Sequence, residues 1–133
     1  MVFWQVLDIV ILVVHSAVIL FNCFGMLVPA LRRWNLASLS ITALCWIVPG
    51  YWYGWGYCPL TDWHWRVKEK IGVEGLPRSY VKWMIDTPTG WDVNAFAVDV
   101  FAVAVLASAA VLSIVLNVRD WRRGGRAGPR LTK

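Results

Sequence analysis

Three apolar stretches dominate the chain, at residues 3–24, 36–57 and 93–117. Each has about the ~20 residues that an α-helix needs to cross the hydrocarbon core of a bilayer. Inside that core the backbone must satisfy its own hydrogen bonds, and a helix does so within one segment. We therefore predict an all-α membrane protein with three transmembrane helices.

The basic residues predict how these helices are oriented. Arg32 and Arg33 follow the first stretch, and a tail rich in Gly and Arg, residues 122–133, follows the third. Because Lys and Arg stay preferentially in the cytoplasm, the N-terminus is predicted outside and the C-terminus in the cytoplasm. Residues 1–121 then form one membrane domain. The first stretch is longer than the apolar part of a signal peptide and no Lys or Arg precedes it, so we expect no cleavage.

The net charge of +5 does not indicate nucleic-acid binding. Eight of the 13 basic residues lie beside the ends of the apolar stretches, where such residues set topology and contact lipid. The segment 58–92 carries five basic and five acidic residues, which is typical of a non-cytoplasmic segment. The expected partners are membrane lipids and other membrane protein subunits. The expected location is a bacterial inner membrane, which the chain crosses several times.

The segment 58–92 is expected to be ordered as a cap on the outer side. Thr61 and the following aspartate resemble a helix start, and Gly72 a helix stop. A second helix is predicted from Pro77 to about Asp86. Both are short and amphipathic. The three cysteines of the chain lie at different predicted depths, so we predict no disulfide.

Polar residues recur every seven positions in the first helix, at Asp8, His15 and Asn22. Residues seven apart lie on nearly one face of a helix. Because an ionisable group facing lipid is costly, this face is predicted to point into the bundle. The third helix carries Asp99 at a similar depth. Asp99 shares a predicted inward face with three small residues, Ala95, Ala102 and Ala109.

Three interpretations of these groups stay open, on the expectation that the two carboxylates meet beneath the cap. The first is a divalent-metal site held by Asp8, His64 and Asp99. The second is a proton or cation route through Asp8 and His15. The third is a structural network in which a carboxylate pairs with Arg66 or with tyrosine hydroxyls.

His15 and the ten tryptophans also raise the question of a cofactor. A buried imidazole can ligate haem or a chlorin pigment, and clustered indoles can stack on a quinone. The competing interpretations are a core histidine bonded to Ser38, Ser40 or Thr42, and tryptophans that anchor the chain at the membrane interface. Pigment, haem, quinone and a divalent metal therefore all remain open as cofactors.

Residues 56–65, with the sequence GYCPLTDWHW, resemble a bacterial domain-of-unknown-function family of small inner-membrane proteins. Further residues that carry the resemblance are His15, Gly25 and Gly72. It extends over about residues 8–120, and Cys-Pro-Leu-Thr is its most specific part. Many members carry glutamate in place of His64 and a histidine within the positions 39–41, which argues against a shared metal site. The resemblance implies the topology and the importance of residues 58–64, and it implies no activity.

We expect a non-enzymatic accessory or scaffolding subunit of a larger inner-membrane complex, respiratory or photosynthetic, because three short helices expose more surface than they bury. Two other classes stay open: a small outer-leaflet metal or redox enzyme using Asp8, His64 and Asp99, and a binder of a lipophilic ligand near His15. No nucleotide-binding glycine loop, nucleophile elbow or zinc-protease helix occurs. The expected contact residues are Trp63, Trp65, Trp83, Arg122 and Arg123.

Overall fold

A computed structural model describes residues 1–54 and 56–124 of the chain. This part is helical and contains no strand. Its helices are α1 (Val2–Phe24), α2 (Arg32–Tyr53), α3 (Pro59–Lys70), α4 (Tyr80–Thr89) and α5 (Ala95–Gly124). Helices α1, α2 and α5 are long and apolar enough to cross a membrane, which confirms the three predicted spans. Two short 3₁₀ turns, Gly25–Leu27 and Pro29–Leu31, join α1 to α2.

Arg32 ties the three long helices together at one end of the bundle, called here the Arg32 end. Its Nη1 donates to Asp120 Oδ2 of α5 at 2.7 Å, and its Nε donates to the carbonyl oxygen of Met26 at 2.9 Å. Asn117 Nδ2 of α5 donates in turn to the carbonyl oxygen of Arg32 at 3.1 Å. The turn after α1 and the end of α5 therefore lie side by side, although they are far apart in the sequence. The opposite end of the bundle is called the Met1 end.

Asn22 joins α1 to α2 through its side chain. Its Oδ1 accepts from Ser38 Oγ at 2.7 Å, and its Nδ2 donates to Thr42 Oγ1 at 3.0 Å. Asn35 Nδ2 donates back to the carbonyl oxygen of Phe21 at 2.7 Å. These polar contacts lie between apolar helices, where hydrogen bonds hold helices together because lipid competes with apolar packing.

A small apolar core lies next to these hydrogen bonds. Its buried members, Met26, Leu39 and Ala109, come from the turn after α1, from α2 and from α5. Leu106 and Leu116 of α5 pack against them. The core therefore fixes α5 against the α1–α2 pair on the side of the bundle nearer the Arg32 end.

The predicted inward face of α5 is only partly correct. Ala109 is buried and Ala102 half-buried, but Ala95 and Asp99 are exposed. The reason is the helical period: Asp99 precedes Ala109 by ten residues, which places it about 80° away around the helix axis. Val98, which precedes Ala109 by eleven residues, lies only about 20° away and is buried.

Helix α3 does not lie across the end of the bundle but alongside α1, and runs antiparallel to it. Cys58, the residue before α3, contacts His15. Further along α3, both His64 and Lys68 contact Asp8. Asp8 and His15 are about 10 Å apart along α1, and Cys58 and His64 about 9 Å apart along α3, so the two helices stay in register. Helix α3 thereby covers the polar face of α1.

The bounds of the two short helices differ from their predicted bounds. Helix α3 begins at Pro59 rather than near Thr61, because Cys58 has the extended backbone of an N-cap and a proline fits the first helical position. Helix α4 begins three residues after Pro77, at Tyr80, where Ser79 Oγ accepts the Lys82 backbone N–H at 3.5 Å. It ends at Thr89 rather than near residue 86.

Lys82 holds α4 to the segment that leads into α5. Its Nζ donates to Asp86 Oδ2 and Asp92 Oδ1, each at 2.5 Å, and to the carbonyl oxygen of Val93 at 2.7 Å. The Val93 N–H donates to Asp86 Oδ1 at 3.0 Å. These bonds lower the pKa of Asp86 and raise that of Lys82. Charge-assisted hydrogen bonds therefore attach helix α4 to the segment just before α5.

The Asn22 contacts give a stability prediction. Asn22→Leu removes both side-chain hydrogen bonds between α1 and α2, and is expected to lower the free energy of unfolding by about 1 kcal/mol, since such bonds in membranes are individually weak. Ser40→Ala is the matched control, because Ser40 bonds only within α2, to the carbonyl oxygen of Leu36. Unfolding in mixed detergent micelles, followed by circular dichroism, measures both. Equal stability of the two variants would contradict the assigned role of Asn22.

Candidate functional site

The polar residues of α1 meet α3 and α4 in one group toward the Met1 end. This group, called here the polar cluster, consists of Asp8, His15, Cys58, His64, Lys68 and Tyr80. Of these six residues, the sequence predicts three as candidate ligands: Asp8 and His64 for a metal ion, and His15 for a cofactor. The inward face predicted for α1 is confirmed, because His15 and Asn22 are 5% and 6% exposed.

Asp8 is paired with two residues of α3. Its Oδ1 accepts from His64 Nε2 at 2.8 Å and lies 2.9 Å from Lys68 Nζ. His64 and Lys68 are four residues apart and therefore share one face of α3. Arg66, the partner expected from the sequence, lies on another face and pairs with Asp62 at 3.0 Å. The predicted structural network paired a carboxylate with Arg66 or with tyrosine hydroxyls, whereas the structure pairs Asp8 with His64 and Lys68.

His64 is neutral in this arrangement. Its side chain is fully buried, and this burial lowers the pKa of the imidazole below its ordinary value, with the nearby Lys68 ammonium adding to the effect. An ionised carboxylate can only accept a hydrogen bond, so His64 Nε2 donates to Asp8 and carries the proton of the neutral ring. Nδ1 then carries a lone pair, and it is buried without a hydrogen-bond partner among the described residues. Asp8 and Lys68 balance each other's charge.

The second part of the polar cluster surrounds His15. The Tyr80 ring stacks on the imidazole with 3.8 Å between ring centroids. The Tyr80 hydroxyl lies 3.4 Å from Ser16 Oγ and 3.5 Å from the carbonyl oxygen of Leu12. Burial raises the pKa of Tyr80, which keeps this hydroxyl protonated. Cys58 Sγ lies 3.8 Å from His15 Nε2, and His15 Nδ1 is buried without a partner among the described residues.

The expected hydrogen bond from His15 to α2 is wrong. Ser38 and Thr42 bond to Asn22, seven residues after His15 on the same face of α1, and Ser40 bonds within its own helix. The physical reason is the position of α3. Because α3 and α4 pack against the first half of α1, they and not α2 provide the neighbours of His15.

Two tryptophans close the polar cluster from the side of α3 and α4. The centroids of the Trp65 and Trp83 rings lie 5.5 Å and 5.8 Å from that of His64. Lys68 Nζ lies 4.5 Å from the centroid of Trp83, a cation–π contact. Trp65 Nε1 donates to the carbonyl oxygen of Pro77 at 2.8 Å. Both indoles therefore contribute to packing within the chain.

The remaining residues expected to contact a partner lie on the surface. Trp63 is 66% exposed on α3, and Arg122 and Arg123 are exposed in the last turn of α5. Trp55 is one of the tryptophans considered as interfacial anchors, and the predicted basic tail includes residues 125–133. Those positions lie outside the described residues.

The structure brings Asp8 to His64 but brings neither of them to Asp99. Asp99 is exposed and makes no hydrogen bond or ion pair with any described residue. Within residues 1–54 and 56–124, no group of three or more His, Cys, Asp or Glu side chains is placed to hold a metal ion. The Asp8 carboxylate already has two donors, so the arrangement favours a charge-balanced structural network.

The surroundings of His15 do not favour ligation of a haem or chlorin. Nε2 faces Cys58 Sγ, Nδ1 is buried, and Tyr80 covers one face of the ring. A macrocycle needs an open, flat space in front of the ligating nitrogen, and neither nitrogen has one here.

The residues alone predict no role in the cluster for Cys58, Lys68 and Tyr80, and the family resemblance implies importance only for the first of them. For Lys68 a signal exists, since it follows His64 by four residues and so shares its helical face. For Cys58 the signal is its position before Pro59, which marks a helix start. Nothing in the sequence places Tyr80 against His15, because this contact depends on how α4 packs.

Removing the Asp8 charge tests the network. Asp8→Asn leaves the buried Lys68 ammonium without its counter-ion and is expected to cost about 3 kcal/mol of unfolding free energy. Asp62→Asn is the control, because the pair of Asp62 with Arg66 is largely exposed and contributes less than about 1 kcal/mol. The double variant of Asp8→Leu with Lys68→Met is expected to recover much of the loss, since no buried charge remains. A cost no larger than that of Asp62→Asn would show that the pair is not buried.

His64 also predicts a dependence on pH. The unfolded imidazole takes up a proton near its usual pKa of about 6.5, whereas burial lowers the pKa of the folded one, which takes up its proton only at a lower pH. The unfolded state therefore binds more protons, and stability is expected to fall as the pH falls from about 7 to about 5. Melting temperatures between these pH values measure the slope, and His64→Gln should reduce it. An unchanged slope in His64→Gln would contradict a buried neutral His64.

Comparison with known proteins now places the chain in a family. No curated protein and no solved structure matches it. Residues 5–118 match a protein family described as Protein of Unknown function (DUF2784). The matched range contains every residue of the polar cluster and most of α5, and it confirms the resemblance to a domain-of-unknown-function family. The chain therefore belongs to the DUF2784 family.

Proposed function

We propose that this protein is a non-enzymatic accessory or scaffolding subunit of a larger protein complex, respiratory or photosynthetic, in the bacterial inner membrane. The observation that carries the proposal is the outward position of Asp99 on α5. The proposed orientation has the Met1 end outside and the Arg32 end in the cytoplasm, as the distribution of basic residues favours.

Asp99 lies inside an apolar segment and faces away from its own chain. It is about 6 Å along the helix from Ala95, between Val98 and Val100. Ionisable side chains in spanning helices are rare and pair with other groups or face a cavity. Since no described residue pairs with Asp99, a basic or hydrogen-bonding group on another subunit is the partner that this chemistry requires.

The other two acidic residues of the spanning helices support this reasoning by contrast. Asp8 is paired with His64 and Lys68, and Asp120 with Arg32. The chain therefore provides internal partners for the carboxylates at both ends of the bundle. Asp99 differs from them only in lacking one among the described residues.

The surface around Asp99 has room for another helix. In the most apolar 18-residue windows of the three spans, at most 17% of the residues are buried within the chain. Lipid covers apolar side chains without cost, but it does not satisfy a carboxylate. A catalytic function of the polar cluster receives less support, because His64 is fully buried and the Asp8 carboxylate is occupied.

Substitution of Asp99 tests the proposal. After extraction in a mild detergent, native mass spectrometry is expected to show this chain in a stoichiometric complex with a different protein. Asp99→Leu is expected to release it from that complex. The stability of the isolated chain should change by less than about 0.5 kcal/mol, because Asp99 is exposed and makes no hydrogen bond or ion pair with any described residue.

Glu74→Gln is the matched control, because it removes an exposed carboxylate outside the spans and should leave the complex intact. Three results would contradict the proposal. These are a wild-type chain that is monomeric after mild extraction, a complex built only from copies of this chain, and a complex that Asp99→Leu leaves unchanged.

A further inference from the structure

Cys58 and His15 form a close pair that the proposed function does not use. Cys58 is the residue before α3, its side chain makes no capping hydrogen bond, and its Sγ lies 3.8 Å from His15 Nε2. His15 is only 5% exposed, so the imidazole aimed at the sulfur is held in place by its surroundings. The antiparallel contact of α3 with α1 fixes both backbones.

A hydrogen bond alone explains this pair poorly. A thiol is a weak donor and a weak acceptor, and the second nitrogen of His15, Nδ1, has no partner among the described residues. Asn22, on the same face of α1, shows how this protein satisfies a buried polar group, with partners at 2.7 Å and 3.0 Å. The His15 imidazole receives no comparable bond, although its burial is as complete.

The separation of the two atoms suits a shared metal ion. Metal–sulfur and metal–nitrogen bonds of about 2.3 Å and about 2.05 Å place the two donor atoms at most about 4.35 Å apart, when the ion lies on the line between them. The observed 3.8 Å corresponds to a sulfur–metal–nitrogen angle of about 120° for the same bond lengths. This angle is that of trigonal coordination, so the two donor atoms already have the spacing of two ligands in a three-coordinate site.

We propose that Cys58 and His15 form a binding site for a soft monovalent cation, with Cu⁺ as the representative ion. A thiolate is a soft ligand that selects Cu⁺, and imidazole suits copper as well. Cu⁺ accepts three ligands, so one neutral donor from outside the chain completes the coordination by Cys58 and His15, whereas structural Zn²⁺ sites take four ligands. Magnesium and calcium are excluded because they require oxygen ligands.

The charge of the two ligands also favours a monovalent over a divalent ion. On binding, the S–H bond of Cys58 breaks, its proton leaves to solvent, and a sulfur–copper bond forms without any change of oxidation state. Thiolate, neutral imidazole and Cu⁺ together carry no net charge, so the complex avoids the cost of a buried charge. A divalent ion would leave one uncompensated positive charge beside Tyr80.

The tests use the purified full-length protein in detergent under anaerobic, reducing conditions. Cu⁺ is titrated in competition with bicinchoninate, whose coloured Cu⁺ complex reports the copper that the protein leaves free. The wild type is expected to bind one equivalent. Cys58→Ser, which keeps a hydrogen-bonding hydroxyl near His15, and His15→Gln are each expected to lower the affinity more than about 100-fold, beyond the cost of losing a merely supporting group.

Cys23→Ser is the matched control. Like Cys58, Cys23 is a half-buried free cysteine, but it lies in α1 and no imidazole lies against it in the described part of the chain. This variant is expected to bind Cu⁺ as the wild type does. Thermal melting without copper shows whether each variant is folded.

X-ray absorption spectroscopy of the copper-loaded wild type gives a readout that needs no variant. One sulfur and at least one imidazole nitrogen as copper ligands support the proposal. The proposal is overturned if the wild type fails to compete for Cu⁺, if Cys58→Ser binds as tightly as the wild type, or if absorption shows only sulfur ligands. None of these outcomes depends on Asp99, so they test the copper site independently of the proposed accessory function.

Discussion

The pairing of Asp8 with His64 and Lys68 is the interaction on which the polar cluster and the packing at the Met1 end depend. A carboxylate in an apolar helix is stable only next to donors that replace water. Helix α3 brings two such donors on one face, at 2.8 Å and 2.9 Å from the same carboxylate oxygen. This requirement places α3 along α1 instead of across the membrane surface. It also buries Lys68, a residue that elsewhere would extend into solvent.

The position of α3 determines the rest of the polar cluster. With α3 against α1, the chain before it brings Cys58 to His15, and the aromatic residues of α3 and α4 close around His64. Lys82 holds α4 to Val93, in the segment that leads into α5. At the other end, Arg32 and Asn22 connect the long helices by hydrogen bonds. The bundle is thus held by polar contacts at both ends and by a small apolar core.

The candidate site was predictable in part. The seven-residue spacing of Asp8, His15 and Asn22 correctly predicts their shared inward face, because helical periodicity is a local property. The expected convergence of Asp8 and Asp99 is not seen, because a difference of one residue turns a side chain by about 100° and depth alone does not define a face. Trp65 and Trp83, which the sequence predicts as contacts for a partner, pack against His64 and are half-buried. The presence of tryptophan in the sequence does not show whether its side chain anchors the chain at the membrane interface or packs inside the protein.

By itself the sequence determined the three spans, the presence of two short helices between the second and third of them, and the inward face of α1. These properties follow from the length, hydropathy and period of single segments, which the bilayer and the backbone constrain directly. Only the tertiary structure decided which groups are neighbours: Lys68 for Asp8, Tyr80 and Cys58 for His15, and no described residue for Asp99. These contacts depend on the rotation and packing of one helix against another, which local sequence patterns do not specify.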